Sequence, residues 1–274
     1  MRSNYRAWTV KDAAANIAVP LESDDKYSRG VLGVITGSNQ YPGAAVLGVE
    51  AALRTGVGMV RYLGPARPTD LVLARRPEVV TSDGRVQAWL IGSGMDANAG
   101  RESEAEIRSA IAQGLPVVLD AGALDLVRIA DGPVVITPHF SELARIIRKD
   151  LDEIARDPGV AAARTANELG VTVLLKGHTT YVASPDGTRL SVSLAPTWLA
   201  TAGSGDALGG VLGALVATHA DAVGSDPGLL AKLAATAAVI HGLAADRASG
   251  GGPFTVLDLA AAVPSTIAAL LADR

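Results

Sequence analysis

The chain has 274 residues, 49% of them hydrophobic but only 4% aromatic, and a net charge of −4. A chain of this length buries a full core without disulfides or structural metal, and that core must be aliphatic, which suits parallel strands covered by helices better than a β-sandwich. There is no cysteine, so disulfides and thiolate metal sites are excluded and a reducing, cytoplasmic location is expected; no basic stripe points to nucleic acid, and neither a signal peptide nor a membrane span is read.

Residues 1–28 read as an arm or a first short helix. VLGVIT (31–36) is a short, β-branched apolar run, hence a buried strand, and GSNQYPG (37–43) is turn chemistry. AAVLGVEAALRTG (44–56) has helical spacing and stops at Gly56, and GMVRYL (58–63) is the next strand, so a strand–loop–helix–strand unit is complete. The grammar repeats. AWLIG (88–92) is a strand leading into GSGMD, RESEAEIRSAIAQG (101–114) an amphipathic helix, and PVVLDAGAL (116–124) a strand ending in Asp120. PVVITPHFSELARII (133–147) is a strand, a Pro-His turn and a helix capped by Ser141 with Glu142 at its positive end, and VTVLLKG (171–177) is another strand. TTYVASPDGTRLSVSL (179–194) then shows two alternating runs about Pro-Asp-Gly, a hairpin. A small-residue helix over 229–248, a glycine loop and a closing helix broken or kinked at Pro264 finish the chain. With no linker, charge block or repeat, the expectation is one domain over 1–274.

In parallel α/β sheets ligands bind beyond the carboxyl ends of the strands. The glycines and polar groups here collect at those exits: 37–43, 92–96, Asp120, His139, Lys176–Thr180 and Gly203–Asp206. Gly203, Ser204 and Gly205 let a backbone approach a ligand closely, and the N–H groups opening the following helix suit a phosphate. Asp206 is then either a helix cap or a general base that takes a proton from a hydroxyl attacking phosphorus. The helix behind it, ALGGVLGAL, carries no charge and must be packed inside, which favours the base.

KGHTT (176–180) is either a phosphate contact or a solvated strand end, and His139 either a substrate contact or a helix start. Asp120 either binds Mg²⁺ through water or caps the next segment. The four histidines show no metal-ligand spacing, and His241 reads as a packed, hydrogen-bonded side chain. Residues 37–43 match neither the dinucleotide fingerprint nor the Walker loop.

The ordered set TGSNQYPGAA, EAALRTGVGMV, DAGAL, ITPHFSELARI, LLKGHTTYV and ATAGSGDALGGVLGAL, followed by AAVIHGLAADRA, resembles the ADP/ATP-dependent NAD(P)H-hydrate dehydratases of the ribokinase-like superfamily, from about Asp25 to about Ala248. The resemblance implies a mostly parallel sheet with helices on both faces and a small hairpin addition. It implies ADP-dependent repair of the S-epimer of hydrated NADH or NADPH: the ring hydroxyl is phosphorylated, phosphate leaves, and AMP is the by-product. Asp206 becomes the base and a substrate contact. Ala44, Gly94 and His139 line the substrate pocket. Lys176, Gly177, His178, Thr179, Thr180, Gly203, Ser204 and Gly205 hold the nucleotide, with Mg²⁺ as cofactor and no dedicated protein metal site. A homotetramer and a separate epimerase are expected as partners.

The chain departs from the family's pattern where GSGMD stands for the usual G-P-G-L-G, placing Asp96 at a glycine position. It departs again where Gly122 replaces the acid of D-A-D-A-L, and where Asp25 precedes Lys26 in place of a common histidine. The alternative from the same superfamily is a kinase of a vitamin-precursor alcohol, with Asp206 and the anion turn shared. A nucleotide sensor without catalysis would need no base.

Overall fold

The computed structural model describes residues 4–95, 103–226, 228–272 and Arg274. Its centre is a nine-stranded sheet. In chain order the strands are β1 (Arg6–Ala7), β2 (Val31–Ile35), β3 (Met59–Tyr62), β4 (Ala88–Ile91), β5 (Val117–Leu119), β6 (Val134–Ile136), β7 (Thr172–Leu175), β8 (Thr180–Ala183) and β9 (Arg189–Val192). They lie side by side as β1-β9-β8-β7-β6-β5-β4-β2-β3. All neighbours run parallel except β7–β8 and β8–β9, the hairpin expected around Pro-Asp-Gly, whose Gly187 has φ +96°.

The core follows from the strands' period of two. Leu32, Val34, Leu90, Val118, Val135 and Leu174 face one helical layer. That layer contains α2 (Gly43–Thr55), α8 (Ser204–Thr218), α10 (Leu229–Ser249) and α11 (Val256–Ala272). Val31, Ile35, Ile91, Leu119, Ile136 and Val173 face the other, built on α4 (Glu104–Ile111), a 3₁₀ segment at Ala121–Arg128, α5 (Phe140–Ile147), α6 (Leu151–Arg156) and α7 (Pro158–Leu169). α10 has the length and mean hydropathy (1.4) of a membrane span, but 83% of that stretch is buried within the fold. Its composition is that of a helix surrounded by protein.

Three local expectations change. The first 28 residues hold the short helix expected there, α1 (Val10–Ala15), and in addition a strand, since β1 joins the sheet beside β9. α5 is capped by His139, not Ser141: the Glu142 amide donates to His139 Nδ1 (3.2 Å), and the His139 amide donates to Glu142 Oε2 (2.7 Å). α11 runs unbroken through Pro264, because it is anchored by buried Leu259, Ala260, Val263 and Leu270 on one face. The stretch 64–87, which carries no strong pattern, holds the helix α3 (Ala66–Arg75).

The site is positioned by the strand order. β2 leads on one side to β3, while the chain returns on β2's other side as β4. The loops leaving β2 and β4 therefore diverge at their carboxyl ends and open a crevice. Across it, the Gly37 amide donates to the Ser93 carbonyl at 2.7 Å. Gly37 and Gly94 have φ +76° and +69°, a region that excludes most side chains.

Candidate active site

α8 delivers Asp206 to this crevice. It can pass close to α2 because both helices present glycine at the crossing: a Cβ on Gly210 would lie 2.1 Å from the Gly48 carbonyl oxygen. The Gly203 turn that opens α8, at φ +90°, fits against Leu47, which a Cβ there would meet at 2.5 Å. The uncharged, glycine-spaced helix noted in the sequence is thus a requirement of its packing between α2 and the sheet.

Four polar side chains from four strand exits converge here. Lys176 Nζ lies 2.8 Å from Asp120 Oδ1 and 3.8 Å from Glu142 Oε2. Thr137 Oγ1 donates to the same Asp120 oxygen at 2.8 Å, and Ser93 Oγ donates to Asp120 Oδ2 at 3.0 Å. Burial and the neighbouring Asp120 push Asp206 up to about 6, against the Ser93 hydroxyl and Lys176, which hold it down. Burial alone would lower the Lys176 ammonium, but Asp120 and Glu142 outweigh it and hold Lys176 above its ordinary value. At neutral pH the centre therefore contains a fixed cation and an Asp206 that titrates close to the working range, a match to general-base chemistry.

Beside it lies a cavity of about 490 Å³. Its polar lining includes Lys176, Gly177, His178, Thr180, Ser204 and Gly205, and its apolar lining Leu194, Pro196, Leu199, Leu208 and Ala238. A cavity that combines an apolar lining with a cation and a helix N-terminus suits an aromatic base with a phosphate tail. His241 sits at its back, 6% exposed, with Nε2 donating to the Ser204 carbonyl at 2.9 Å; burial pulls it down to about 4, so it is the neutral, packed histidine that its helix suggested.

Six of the expected nucleotide contacts thus line one cavity. Thr179 and Gly203 do not: Thr179 Oγ1 pairs with Ser193 Oγ at 2.8 Å, and Gly203 supports the turn. Of the expected substrate residues, Ala44 and Gly94 meet, since a Cβ on Gly94 would lie 2.4 Å from that of Ala44. His139 stands on the rim, tied to the strand exits by a backbone bridge to Lys176, and its ring is engaged by its capping bond to Glu142.

Asp120 does not cap the next segment with its side chain: its Oδ1 accepts from Lys176 and Thr137 and its Oδ2 from Ser93, and the residue is 3% exposed. Among the described residues no three His, Asp or Glu side chains converge as a metal cage. The described carboxylates therefore form no cage for a resident Mg²⁺.

The departures at 92–96 and 122 belong together: a Cβ on Gly122 would lie 2.5 Å from the Met95 carbonyl oxygen, so the missing side chain gives that loop its place. Asp96 itself lies outside the described residues. Asp25 accepts from the Tyr27 and Ser28 amides at 2.7 and 2.9 Å, in the turn entering β2 at the opposite end of the strands. Ser93, Thr137 and the apolar wall at 194–200 were not singled out by sequence; serine directly between two exit-loop glycines was the available signal for the first.

The doubly covered, mainly parallel sheet, with a glycine turn and one carboxylate opening a buried helix, has the ribokinase-like fold. The solved ADP/ATP-dependent NAD(P)H-hydrate dehydratase of Bacillus subtilis, co-crystallised with ATP and Mg²⁺, superposes with a TM-score of 0.85 at 24% identity, over 97% of this chain and 99% of that one. A ribokinase-like superfamily protein of Enterococcus faecalis gives 0.83 at 21% identity, over 97% and 96%. At these identities the likeness concerns the fold. In sequence, residues 32–261 match the NAD(P)H-hydrate dehydratase family model. The ADP-dependent (S)-NAD(P)H-hydrate dehydratase of Neisseria meningitidis is 34% identical over 82% of this chain and 79% of its own length. The bifunctional NAD(P)H-hydrate repair enzyme Nnr of Mycobacterium tuberculosis is 44% identical over 76% of this chain, but the match spans only 45% of that enzyme. The chain belongs to the NAD(P)H-hydrate dehydratase family.

Proposed function

We propose that the protein restores NADH and NADPH from the S-epimers of their hydrates, with ADP as phosphoryl donor. The observation that carries the reading is Asp206, tuned to about 6, at the first turn of α8 beside the Lys176–Asp120 pair and the base-sized slot. In the first step the Asp206 carboxylate takes the ring hydroxyl's proton as that oxygen bonds to the terminal phosphorus of ADP and the bond to the bridging oxygen breaks, releasing AMP. The ring carbon–oxygen bond then breaks with phosphate leaving, and loss of a proton from the adjacent carbon restores the double bond. Phosphate leaves where hydroxide would not.

Lys176 and the amides of the α8 N-terminus face the charge that develops on the transferred group. The apolar slot takes adenine, and the Ala44–Gly94 contact forms the floor on which the hydrated ring sits. Mg²⁺ carried on the nucleotide's phosphates would offset part of their charge. A homotetramer, a cytoplasmic location and an epimerase that supplies the S-form complete the reading.

The test is to mix the protein with hydrated NADH, Mg²⁺ and either ADP or ATP and follow the return of nicotinamide absorbance. Recovery with ADP supports the reading. A phosphorylated product that persists would transfer the assignment to a kinase of another alcohol.

A further inference from the structure

We propose that Gly242, in the interior of α10, is a positioning residue for the nucleotide: lacking a side chain, it lets the connection from β9 to α8 lie against the helix, and so fixes the width of the cavity that takes the base. The ligand comes from the nucleotide reading above; the rest is geometry. A glycine inside a helix costs stability relative to alanine, and Gly242 is buried well within the 21 residues of α10. What occupies the place of its side chain is backbone. A Cβ there would lie 3.2 Å from the Leu194 carbonyl carbon, 3.3 Å from the Ala195 nitrogen and 3.4 Å from the Leu194 oxygen. Carbon atoms in ordinary contact stand about 3.5–4.0 Å apart, so even a methyl group would push the connection off the helix.

The same residues bound the cavity. Leu194 and Ala195 line it, as do residues 196, 197, 199 and 200 beyond them. From α10 it is lined by His241, next to Gly242, and by Ala238, one turn earlier on the same helix face. The gap between connection and helix is therefore a dimension of the cavity itself. The hydrogen bonds of the connection shape it without tying it to α10. The Leu199 and Ala200 amides donate to the Pro196 and Thr197 carbonyls at 3.0 and 3.2 Å, the Thr201 amide donates to the Leu199 carbonyl at 2.8 Å, and Ser193 Oγ pairs with Thr179 Oγ1. Packing at Gly242 is what remains to set the distance. Leu194 and Trp198 are 39% and 51% exposed, so the connection has solvent on its outer side and yields outward when pushed. A base held by dispersion between two apolar surfaces loses attraction steeply as they separate, because a gap of about 0.5–1 Å already forfeits a quarter to a half of each contact.

The experiment compares the unmodified protein with Gly242→Ala and Gly242→Ser, which carry the same Cβ. Calorimetric titration with ADP and with AMP is expected to show both affinities lowered by the same factor, about five- to tenfold, in both variants. In turnover, KM for ADP rises by that factor while kcat and KM for hydrated NADH stay within about twofold, a split that general loosening of the fold would not produce. The ligand-free readout is the melting temperature. A helix glycine with free space beside it gains about 2–4 °C on replacement by alanine, and Gly242→Ala is expected to show no such gain. Unchanged ADP affinity in Gly242→Ala, or a loss confined to ADP and absent for AMP, overturns the proposal. If the unmodified protein binds neither nucleotide, the nucleotide reading fails, and the melting temperature still decides whether Gly242 sets the connection's place: a gain of about 2–4 °C in Gly242→Ala would mean that it does not.

Discussion

Lys176 Nζ reaches Asp120 Oδ1 at 2.8 Å across the exits of β7 and β5, and the buried Asp120 carboxylate is neutralised by that partly covered ammonium. Removing one member of such a pair strands the other charge, which is generally worse than losing both. Lys176→Met is therefore expected to destabilise the protein by about 3 kcal/mol and to abolish tight ADP binding. Asp120→Asn added to Lys176→Met recovers most of the stability and none of the turnover. Urea unfolding and calorimetric titration with ADP read the two effects separately. Equal stability of the single and double variants would mean that the pair is not coupled.

Asp206 should oppose stability at the pH where it works. Its carboxyl is raised from 3.8 to about 6, so the folded state holds the Asp206 proton more tightly than the unfolded chain. The contribution is fully present below pH 3.8 and is lost as pH rises through about 6. Asp206→Asn removes the buried charge facing Asp120, and is expected to gain about 1–3 kcal/mol at neutral pH while turnover falls by about 10²–10⁴. The gain disappears near pH 4. Thermal melts across pH check this, and a variant no more stable than the parent at pH 7 would contradict the assigned environment.

Gly205 separates backbone fit from ligand fit. An added Cβ lies 3.5 Å from Lys176 Nζ, an ordinary contact, so Gly205→Ala folds normally. That methyl group stands in the cavity wall between the first turn of α8 and the ammonium, where a phosphate would approach. The expected result is an unchanged melting temperature with ADP affinity lowered about tenfold, equal to roughly 1.4 kcal/mol, and a larger loss for Gly205→Val. Unchanged affinity in Gly205→Val would move the phosphate away from this turn.

The periodic parts of this chain were legible because burial on both faces leaves strands that are short, aliphatic and bounded by turns. β2, β4, β6 and β7 stand out for that reason, and α2 and α10 for their apolar spacing. β1 was hidden because a two-residue edge strand has no period to read. The cap of α5 went to His139 because Nδ1 can accept a hydrogen bond as a serine hydroxyl does, a capacity outside the usual capping preferences. In the site, Asp206 and the anion turn were visible as local chemistry. The Asp120–Lys176 pair was not, because its members are 56 residues apart and meet through strand order alone. Thr137 was not, because a threonine ending an apolar strand looks like any strand residue until the strand order sets it beside Asp120.

Glu50 lies away from the site. It is fully buried on α2, yet Arg54 Nε donates to it at 2.7 Å, Arg75 at 3.3 Å, and Arg76 pairs with both its oxygens. Burial alone would raise its carboxyl, but hydrogen bonds from Arg76, Arg54 and Arg75 prevail and bring it down to about 2. The stability it contributes is present above pH 4.5 and is lost as pH falls through about 2. Acid unfolding of the parent should therefore steepen between these limits. Glu50→Gln keeps the shape and removes the charge that holds three guanidinium groups, so it should destabilise by about 3 kcal/mol at pH 7. Near pH 2 the difference from the parent should shrink, and a pH-independent difference would assign Glu50 a packing role in place of an electrostatic one.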